Sequence, residues 1–542
     1  MKRLYIILLY ISAILPDAVY ARPMYTQTMY ANSMCTSSMY AQSAHDTLSS
    51  ANEAAAMSVN TRTAQTEDAL QSIGIAVYNS SASASSYKSD VTLSSLSLSY
   101  LMRNEKKALL PAYGNGISAL NIEAQSYMHL NRRNTVEANA SYLYGEKKDI
   151  CWNSSSDYML LWPYIAADSI GGNLTTEQYS FGGSYSQRSS NNRFTYGIEG
   201  SYRALHEFRR IDPRPRNITS DVQAGISGGY NTAKYYIGIY AGIRVYSQEH
   251  SVDYFSTSGA NTSQLPMTGL GSYYKRFAGS SQDVTDYNFK GSGFSVSAQL
   301  IPLSGNGLSL MTGYTSISIE RQLPQINNIP ITVLNTESFA LSAAYHNNMS
   351  PIRWGIGADA RYEIRRGDEN LLNTGTHSQD MILASFTMFE CNTFSSTLTA
   401  GAEFMQNWGY LFIRPCAELI YTDAGYRYPA RLMKFLTTES RLDIGARYIS
   451  DKWIADFTAG GGYATTPESS LHFPANAEAA LRNATTGIWR GITSDRFIFS
   501  TNIGAQRSIN SKTAIFISFG WQMYNNDIGT GNRFNLGTGL RF

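Results

Sequence analysis

Hydrophobic and polar residues alternate with a period of two along most of this chain. In residues 234–245 the odd positions carry Tyr, Ile, Ile, Ala, Ile and Val, and the even positions carry Lys, Tyr, Gly, Tyr, Gly and Arg. Successive side chains of a β-strand point to opposite faces, so this alternation predicts a strand with one apolar face. Residues 351–366 and 441–449 repeat the pattern, as do many segments from about residue 88 to the C-terminus. The sequence therefore predicts an all-β chain.

Two architectures fit such strands: a soluble sandwich with one wet face, or a barrel that crosses a membrane around a wet interior. The strand pattern is predicted to continue from about residue 88 to residue 542 without a helical interruption, which is longer than a sandwich normally runs. Each run also supplies the roughly 9 to 11 residues that a tilted strand needs to cross a bilayer. We therefore predict a transmembrane antiparallel β-barrel.

The polar faces of the predicted strands carry charged residues. A charge on the lipid face costs roughly 2 to 4 kcal/mol at mid-membrane, so these side chains are expected to point into the lumen. The predicted lumen-facing charges are Glu199, Arg203, Arg244, Arg353, Asp359, Arg361, Glu363, Arg441, Asp443 and Arg447. This mixed lining fits a channel for hydrophilic solutes and a filled, salt-bridged interior equally well.

The strand count is ambiguous at one place. The pattern gives nineteen candidate strands, whereas bacterial barrels normally have an even number. Between Cys391 and Tyr421 two stretches, CNTFSS and NWGY, both resemble turns, and they separate candidates at 379–391, 395–406 and 410–422. The extra candidate lies there or at the weak first strand. We therefore predict 16–18 strands.

The N-terminal part of the chain has a different composition. Residues 1–21 combine a basic start, an apolar core and small residues before a cleavage point, which is typical of a secretory signal peptide. Residues 22–87 begin with a five-residue unit repeated four times and are rich in Ser and Ala, so we expect a mostly disordered periplasmic arm. The alternative is a plug or partner-binding peptide inside the lumen. The barrel is predicted to comprise residues 88–542.

The chain ends on a strand pattern, RFNLGTGLRF, with one apolar face. This end resembles the C-terminal insertion signal of bacterial outer-membrane barrels, which finishes on an aromatic residue. The resemblance implies that the barrel insertion machinery reads Phe534, Leu540 and Phe542. Together with the signal peptide, it predicts a multi-pass barrel in the outer membrane of a Gram-negative cell, with outer-membrane lipid around its apolar face.

The stretch YRALHEFRRIDPRPRN, Tyr202 to Asn217, contains five arginines and two prolines. The short turn before it is expected to be periplasmic, so this strand should rise to the outer rim near Phe208. The rim loop that follows would carry Arg209, Arg210, Asp212, Arg214 and Arg216. Two roles stay open: a docking surface or constriction for an anionic ligand or partner, or a structural loop locked by pairing of the arginines with Asp212.

Composition excludes several classes of function. Charged residues make up 15% of the chain and the net charge is +2, which gives no electrostatic basis for nucleic-acid binding. His206 and Glu207 are the best local acid–base pair, but neighbours on a strand point to opposite faces. The sequence contains no phosphate loop, serine motif or metal-ligand spacing. We therefore expect no enzymatic activity, no cofactor and no metal site.

Two stretches, SSDYMLLWPYIAADSIGGNLTTEQYSFGGSYSQ (Ser155–Gln187) and Tyr202–Asn217, resemble an uncharacterised family of outer-membrane barrel proteins from Gram-negative anaerobes. The resemblance covers the chain from about residue 88 to the end. Members of that family are encoded near TonB-dependent receptors, which implies an accessory or channel role in nutrient uptake with a TonB-dependent receptor or a lipoprotein as partner. The family has no assigned chemistry. The rival function is a structural or surface-binding barrel with adhesive or protein-docking loops and no open pore.

Overall fold

A computed structural model describes residues 58–60, 63, 81–87, 92–255, 264–275, 286–348, 351–373 and 381–542. Within these residues, 18 strands form one antiparallel sheet that closes on itself, and three short strands form a separate small sheet. The predicted fold class, a transmembrane antiparallel barrel of 16–18 strands, is confirmed.

The strands vary from two residues to 26. In chain order they are β1 (Leu93–Glu105), β2 (Gly116–His129), β3 (Asn134–Ile150), β4 (Ala166–Ala167), β5 (Gly172–Arg188), β6 (Phe194–Phe208), β7 (Arg214–Asn231), β8 (Tyr235–Asp253), β9 (Leu265–Gly269), β10 (Ser272–Tyr273), β11 (Tyr287–Pro302), β12 (Gly307–Leu323), β13 (Ile329–Asn347), β14 (Ile352–Asn373), β15 (Met381–Gln406), β16 (Gly409–Tyr426), β17 (Arg431–Ile449), β18 (Trp453–His472), β19 (Arg496–Ser508), β20 (Ala514–Asn526) and β21 (Thr530–Arg541).

Few helices accompany the strands. Among the described residues from 81 onward, the α-helices are α1 (Tyr158–Leu161) and α2 (Ala479–Thr493), and short 3-10 helices lie at Ala82–Tyr87, Pro111–Tyr113 and Pro324–Ile326. Among the described residues, no helix is long and apolar enough to cross a membrane.

Barrel strands pair with their sequence neighbours around the whole ring, except that β4, β9 and β10 form the small sheet. The ring closes where β21 pairs with β1, with Leu540 opposite Leu96. The Phe542 amide donates to the Ser94 carbonyl at 2.9 Å, and the Ser94 amide donates to the Phe542 carbonyl at 2.8 Å. Closure leaves the barrel without a free sheet edge.

The connections differ in length between the two ends of the barrel. One end has only short turns, at 130–133, 189–193, 232–234, 303–306, 348–351, 407–408, 450–452 and 509–513. The longest connections, 151–171, 254–286 and 473–495, all lie at the other end. In bacterial outer-membrane barrels the short turns face the periplasm, so the long connections are extracellular.

The outer surface carries a continuous band of exposed apolar side chains. Ile198, Ile226 and Ile239 are exposed on the adjacent strands β6, β7 and β8, and most other barrel strands add similar residues. An exposed band of this size is unstable in water and is covered by lipid hydrocarbon. The period-two pattern thus sorts apolar residues to the outside and polar residues to the lumen.

The strand pattern predicts one candidate strand too many because the candidates at 379–391 and 395–406 are both part of the single strand β15. The predicted turn at CNTFSS is wrong: Met381–Gln406 runs through it without a break. Asn392 pairs with Ile364 on one side and with Asp423 on the other, so the ladder continues across this stretch. Asn and Ser favour turns in general, but the inner face of a barrel strand is also polar. Composition alone cannot separate the two structures here.

Part of the N-terminal segment lies inside the periplasmic end of the barrel. The Ala82 amide donates to Glu199 Oε2 at 2.8 Å, and the hydroxyls of Ser83 and Tyr236 lie 2.7 Å apart. Gly197 allows this approach, because a Cβ there would lie 2.3 Å from the Ser83 nitrogen. The predicted disordered arm is therefore wrong for residues 81–87, which instead match the lumenal alternative. The signal peptide and the five-residue repeat lie outside the described residues.

Candidate functional site

The connection between β3 and β5 folds back into the barrel. We call its residues Asn153–Asp168 the lumen plug. Ser154, Ala166, Ala167 and Asp168 are all 0% exposed. The plug residues Tyr158, Leu161 and Ile165 lie in one buried core. The wall contributes the inward-facing residues Tyr246, Tyr287, Phe289 and Ile319 to the same core. The extracellular half of the lumen therefore holds a packed hydrophobic core.

A buried ion pair joins the end of the lumen plug to the rim. Arg209 Nη2 donates to Asp168 Oδ2 at 2.7 Å, and the two side chains are 1% and 0% exposed. Ser154 Oγ donates to the same carboxylate oxygen at 2.8 Å, and Arg209 Nε donates to the Pro213 carbonyl at 2.8 Å. Removing either charge would leave the other buried without a counter-charge, which is costly. We call the Arg209–Asp168 pair the rim latch.

The tip of the lumen plug reaches a second group of charges deeper in the barrel. Arg203 donates to both carboxylate oxygens of Asp157, at 3.0 and 2.6 Å, and the Tyr246 hydroxyl donates to Asp157 at 3.0 Å. Asp221 links Arg203 to Arg244, at 3.4 and 2.7 Å. Burial raises the pKa of Asp157, but Arg203 and the hydrogen bonds outweigh burial and hold that pKa below its usual value. The tip therefore stays ionised and bonded near neutral pH.

Wall side chains also bind the main chain of the lumen plug. Arg365 donates to the carbonyls of Leu160 and Trp162, at 3.0 and 2.8 Å, and Arg321 donates to the carbonyl of Ile165 at 3.2 Å. A loop that folds away from water needs such donors, because its carbonyls would otherwise be buried without partners. Specific polar contacts therefore hold the plug in addition to apolar packing.

Two further extracellular segments cover the mouth of the barrel. Strand β9 pairs with β4 of the lumen plug, with Pro266 opposite Ala166. Helix α2 contributes Ile492 to a second buried core that also contains Leu110 and Leu270. The lumen plug, β9 and α2 thus come from separate connections and pack together at the extracellular end.

The charged residues predicted to face the lumen all lie on the inner face of the wall, where most form ion pairs. These pairs are Arg203–Asp157, Arg203–Asp221, Arg244–Asp221, Arg353–Glu403, Arg361–Glu363, Arg441–Asp443 and Arg447–Asp456. Glu199 accepts from the Ala82 amide, and Asp359 accepts from Ser342 Oγ. The structure therefore distributes these charges into local pairs and does not gather them into one ring.

The rim residues differ from the prediction in two respects. Strand β7 starts at Arg214, so Arg214 and Arg216 belong to a strand and not to the loop. Among the arginines of this stretch, Arg214 pairs with Asp212, at 2.8 Å, and Asp212 also accepts from the Phe255 amide at 2.8 Å. Both carboxylate and guanidinium are partly exposed. The predicted lock of several arginines around Asp212 is therefore replaced by the buried latch between Arg209 and Asp168.

Other predicted positions can be placed more briefly. Arg210 and Arg216 are exposed. Phe534, Leu540 and Phe542 lie on the outer face of the closing strand, and their reading by the insertion machinery stays a prediction.

Several residues that hold the lumen plug carry no signal in the sequence patterns. Spacing along the chain does not distinguish Asp157, Asp168 and Asp221, because their arginine partners are distant in sequence. The run YMLLWPYIAA, residues 158–167, does carry a signal. It is strongly apolar for an extracellular connection and would form an exposed hydrophobic patch if it lay in water.

Apolar side chains cover the outside of the closed ring and paired charges line its inside, which is how an outer-membrane β-barrel protein is built. The predicted localisation is thereby confirmed. The chain belongs to the Family of unknown function (DUF6850), whose model matches residues 81–542. The predicted resemblance to an uncharacterised family is confirmed, and the match also includes the lumenal residues 81–87.

Comparison with known proteins adds distant likenesses. No curated protein matches the chain. It is similar to the ferric-catecholate import receptor Fiu from E. coli K12, at 9% identity and a TM-score of 0.35 over 83% of this chain and 81% of that chain. For a mutant of the ferric enterobactin receptor PfeA from Pseudomonas aeruginosa the values are 7%, 0.37, 83% and 80%. For the outer membrane transporter YddB from Escherichia coli they are 9%, 0.37, 83% and 81%. Likenesses this distant carry no inference about function.

Proposed function

We propose that this protein is a closed β-barrel with an accessory role in nutrient uptake. It forms no permanently open pore and works with a TonB-dependent receptor in the outer membrane. The observation that carries the proposal is the buried lumen plug, tied to the wall by Arg209–Asp168 and Arg203–Asp157. A barrel of this strand number encloses a lumen wide enough for an aqueous channel unless protein fills it. The plug supports a barrel that is closed at rest.

The family resemblance implies the uptake part of the proposal, and the stretches that carry it are also the ones that close the barrel. Its two most specific stretches are Ser155–Gln187 and Tyr202–Asn217. The first contains most of the lumen plug, and the second contains Arg203, Glu207 and Arg209, which all contact it. The part of the chain that resembles the family most is therefore the part that closes the barrel. The proposal includes no catalytic step.

Planar-bilayer recording of the purified full-length protein tests the closed state. We expect no stepwise conductance from the wild-type chain under conditions where a porin, inserted in parallel, gives clear steps. Heat-modifiable mobility on a gel confirms that the sample is folded. Steady conductance from the folded wild-type protein would overturn the proposal.

Co-purification tests the accessory role. A tagged chain extracted from the outer membrane is expected to bring down a TonB-dependent receptor in a reproducible ratio. A second candidate, a surface-binding barrel with docking loops, is favoured by large side chains exposed at the extracellular end, such as Phe255 at 77% and Tyr428 at 80%. A silent barrel that is recovered without a receptor would favour this second candidate.

A further inference from the structure

Three large hydrophobic side chains are exposed together at the extracellular rim. Ile170, Ile211 and Phe255 are 52%, 57% and 77% exposed and come from three different connections. A Cβ on Gly172 would lie 3.0 Å from Ile211 Cδ1, which brings the connection that carries Ile170 next to Ile211. Phe255 is tied to the residue that follows Ile211, because its amide donates to Asp212. The segments that carry the three side chains are therefore adjacent, and we treat these exposed side chains as one patch.

The rim latch fixes the position of this patch. The Ile170 amide donates to Asp168 Oδ1 at 3.1 Å, so this isoleucine is anchored to the latch carboxylate. Ile211 lies two residues after Arg209, the other half of the latch, which also binds the Pro213 carbonyl. A surface that is already ordered loses little conformational entropy when it binds. The exposed patch is therefore preorganised for binding.

Arginines lie on the same segments as the hydrophobic side chains or next to them in the ladder. Arg210 and Arg216 are exposed and make no ion pair among the described residues. The Arg210 guanidinium lies 5.9 Å from the Phe208 ring, and the Arg214 guanidinium lies 5.0 Å from the Phe255 ring. Arginine and aromatic side chains are enriched in the central residues of protein interfaces. We call Ile170, Ile211, Phe255, Arg210 and Arg216 the rim patch.

The rim patch lies beyond the reach of lipid hydrocarbon. Ile218 is an exposed apolar residue near the top of the lipid-facing band, and it pairs with His206 across β6 and β7. From His206 the chain rises to Ile211 by a distance on the order of 10 Å. Acyl chains therefore do not cover the patch, and exposed apolar side chains grouped in this way mark an interaction site.

We propose that the rim patch is the docking surface for the extracellular part of the partner protein, whose contact face is apolar and flanked by carboxylates. The carboxylates complement Arg210 and Arg216, and the apolar centre covers Ile170, Ile211 and Phe255. The inference rests on the proposed function, because it names the surface through which the closed barrel meets its partner.

Site-specific photo-crosslinking in cells tests the docking surface in the full-length chain. A photoreactive phenylalanine analogue replaces Phe255 in one strain and Tyr428, an equally exposed aromatic residue in another extracellular turn, in a control strain. We expect one discrete protein adduct from position 255 and none from position 428. Mass spectrometry of the adduct should place the crosslink on a partner peptide that contains Asp or Glu.

Charge reversal tests the role of the arginines. The double variant Arg210→Glu with Arg216→Glu is expected to lower the adduct yield about tenfold, because two attractive contacts become repulsive. Arg210→Lys with Arg216→Lys should change the yield less than about threefold, because the charge is kept. Arg427→Glu beside Tyr428 should have no effect. For the unmutated arginines, raising the salt concentration should also lower the yield, which keeps the test valid if the reversed variant does not fold.

Three results would overturn the docking surface: an adduct only with an outer-leaflet glycolipid or with the chain itself, equal yields from positions 255 and 428, or a yield that neither charge reversal nor salt changes. The absence of any adduct from position 255 would overturn it as well. A wild-type barrel that stays silent in bilayers would then still support the proposed closed state, and the partner contact would lie elsewhere. Steady conductance of the wild-type barrel would contradict the proposed closed state, but it would not change the interpretation of an adduct at position 255.

Discussion

Replacing the lumen plug, Asn153–Asp168, by a short Gly-Ser linker is expected to turn a silent barrel into one that conducts ions in discrete steps. The plug fills the extracellular half of the lumen with a buried core, and it pairs with β9, which covers the mouth. Without the plug, β9 and α2 lose much of the surface on which they pack. Water then enters a lumen of the width found in porins. Planar-bilayer recording of the purified variant beside the wild-type protein measures the effect.

A control separates loss of the plug from loss of barrel structure. The same linker inserted into the β16–β17 turn, residues 427–430, should leave the protein silent, because this turn is exposed and makes no part of the plug core. Both variants should keep the heat-modifiable gel mobility of a folded barrel. A folded variant that lacks the plug and still passes no current would contradict the assignment of the plug as the element that closes the lumen.

Asp168→Ala is expected to weaken docking of the lumen plug by about 3 to 5 kcal/mol, because it leaves Arg209 charged, buried and without a counter-charge. The wall should remain intact, since its strands are held by their own ladders. The loss should therefore appear as faster amide exchange in peptides from residues 153–168, by roughly 10²- to 10⁴-fold, with unchanged exchange in β6 and β7. Hydrogen-exchange mass spectrometry of the purified proteins measures the difference.

Asp212→Ala is the matched control for that variant. Asp212 also pairs with an arginine of the rim, but its side chain and that of Arg214 are 26% and 38% exposed, so solvent screens the pair. We expect a cost below about 1 kcal/mol. The double variant Asp168→Ala with Arg209→Met should recover much of the lost protection, because it removes the unpaired charge as well. Equal effects of Asp168→Ala and Asp212→Ala would show that the rim latch is not the dominant contact.

The sequence predicts the wall of this protein well because the wall depends on local rules. Each strand needs only alternation with a period of two, and a charge such as Arg353 or Arg361 can be assigned to the lumen from its own strand. β15 escapes this rule because Thr393 and Ser395, which pair with Glu363 and Arg361 on the inner face, fit both a turn and a lumen-facing ladder. The ambiguity is chemical, since both a lumen-facing position of a strand and a solvent-exposed turn accept polar residues.

The filled lumen follows from contacts that no local pattern encodes. Arg209 and Asp168 are separated by 41 positions, and Ala82 and Glu199 by 117. Which acid meets which arginine depends on the path of a loop through the interior. Only the apolar run at residues 158–167 hints that the connection leaves the solvent, because its side chains need a buried place. The fold could thus be predicted from the sequence, whereas the candidate site could be predicted only in its wall residues.

Cysteine labelling on intact cells tests most directly whether the connection between β3 and β5 fills the lumen. In a chain whose four native cysteines are replaced by alanine, Ala167→Cys and Ile170→Cys place a thiol at two positions of the same connection, which are 0% and 52% exposed in the native protein. We expect a membrane-impermeant maleimide to label position 170 within minutes and position 167 about 100-fold more slowly, because reaction at position 167 requires the plug to open. Equal labelling rates at the two positions in a folded protein would contradict the closed barrel.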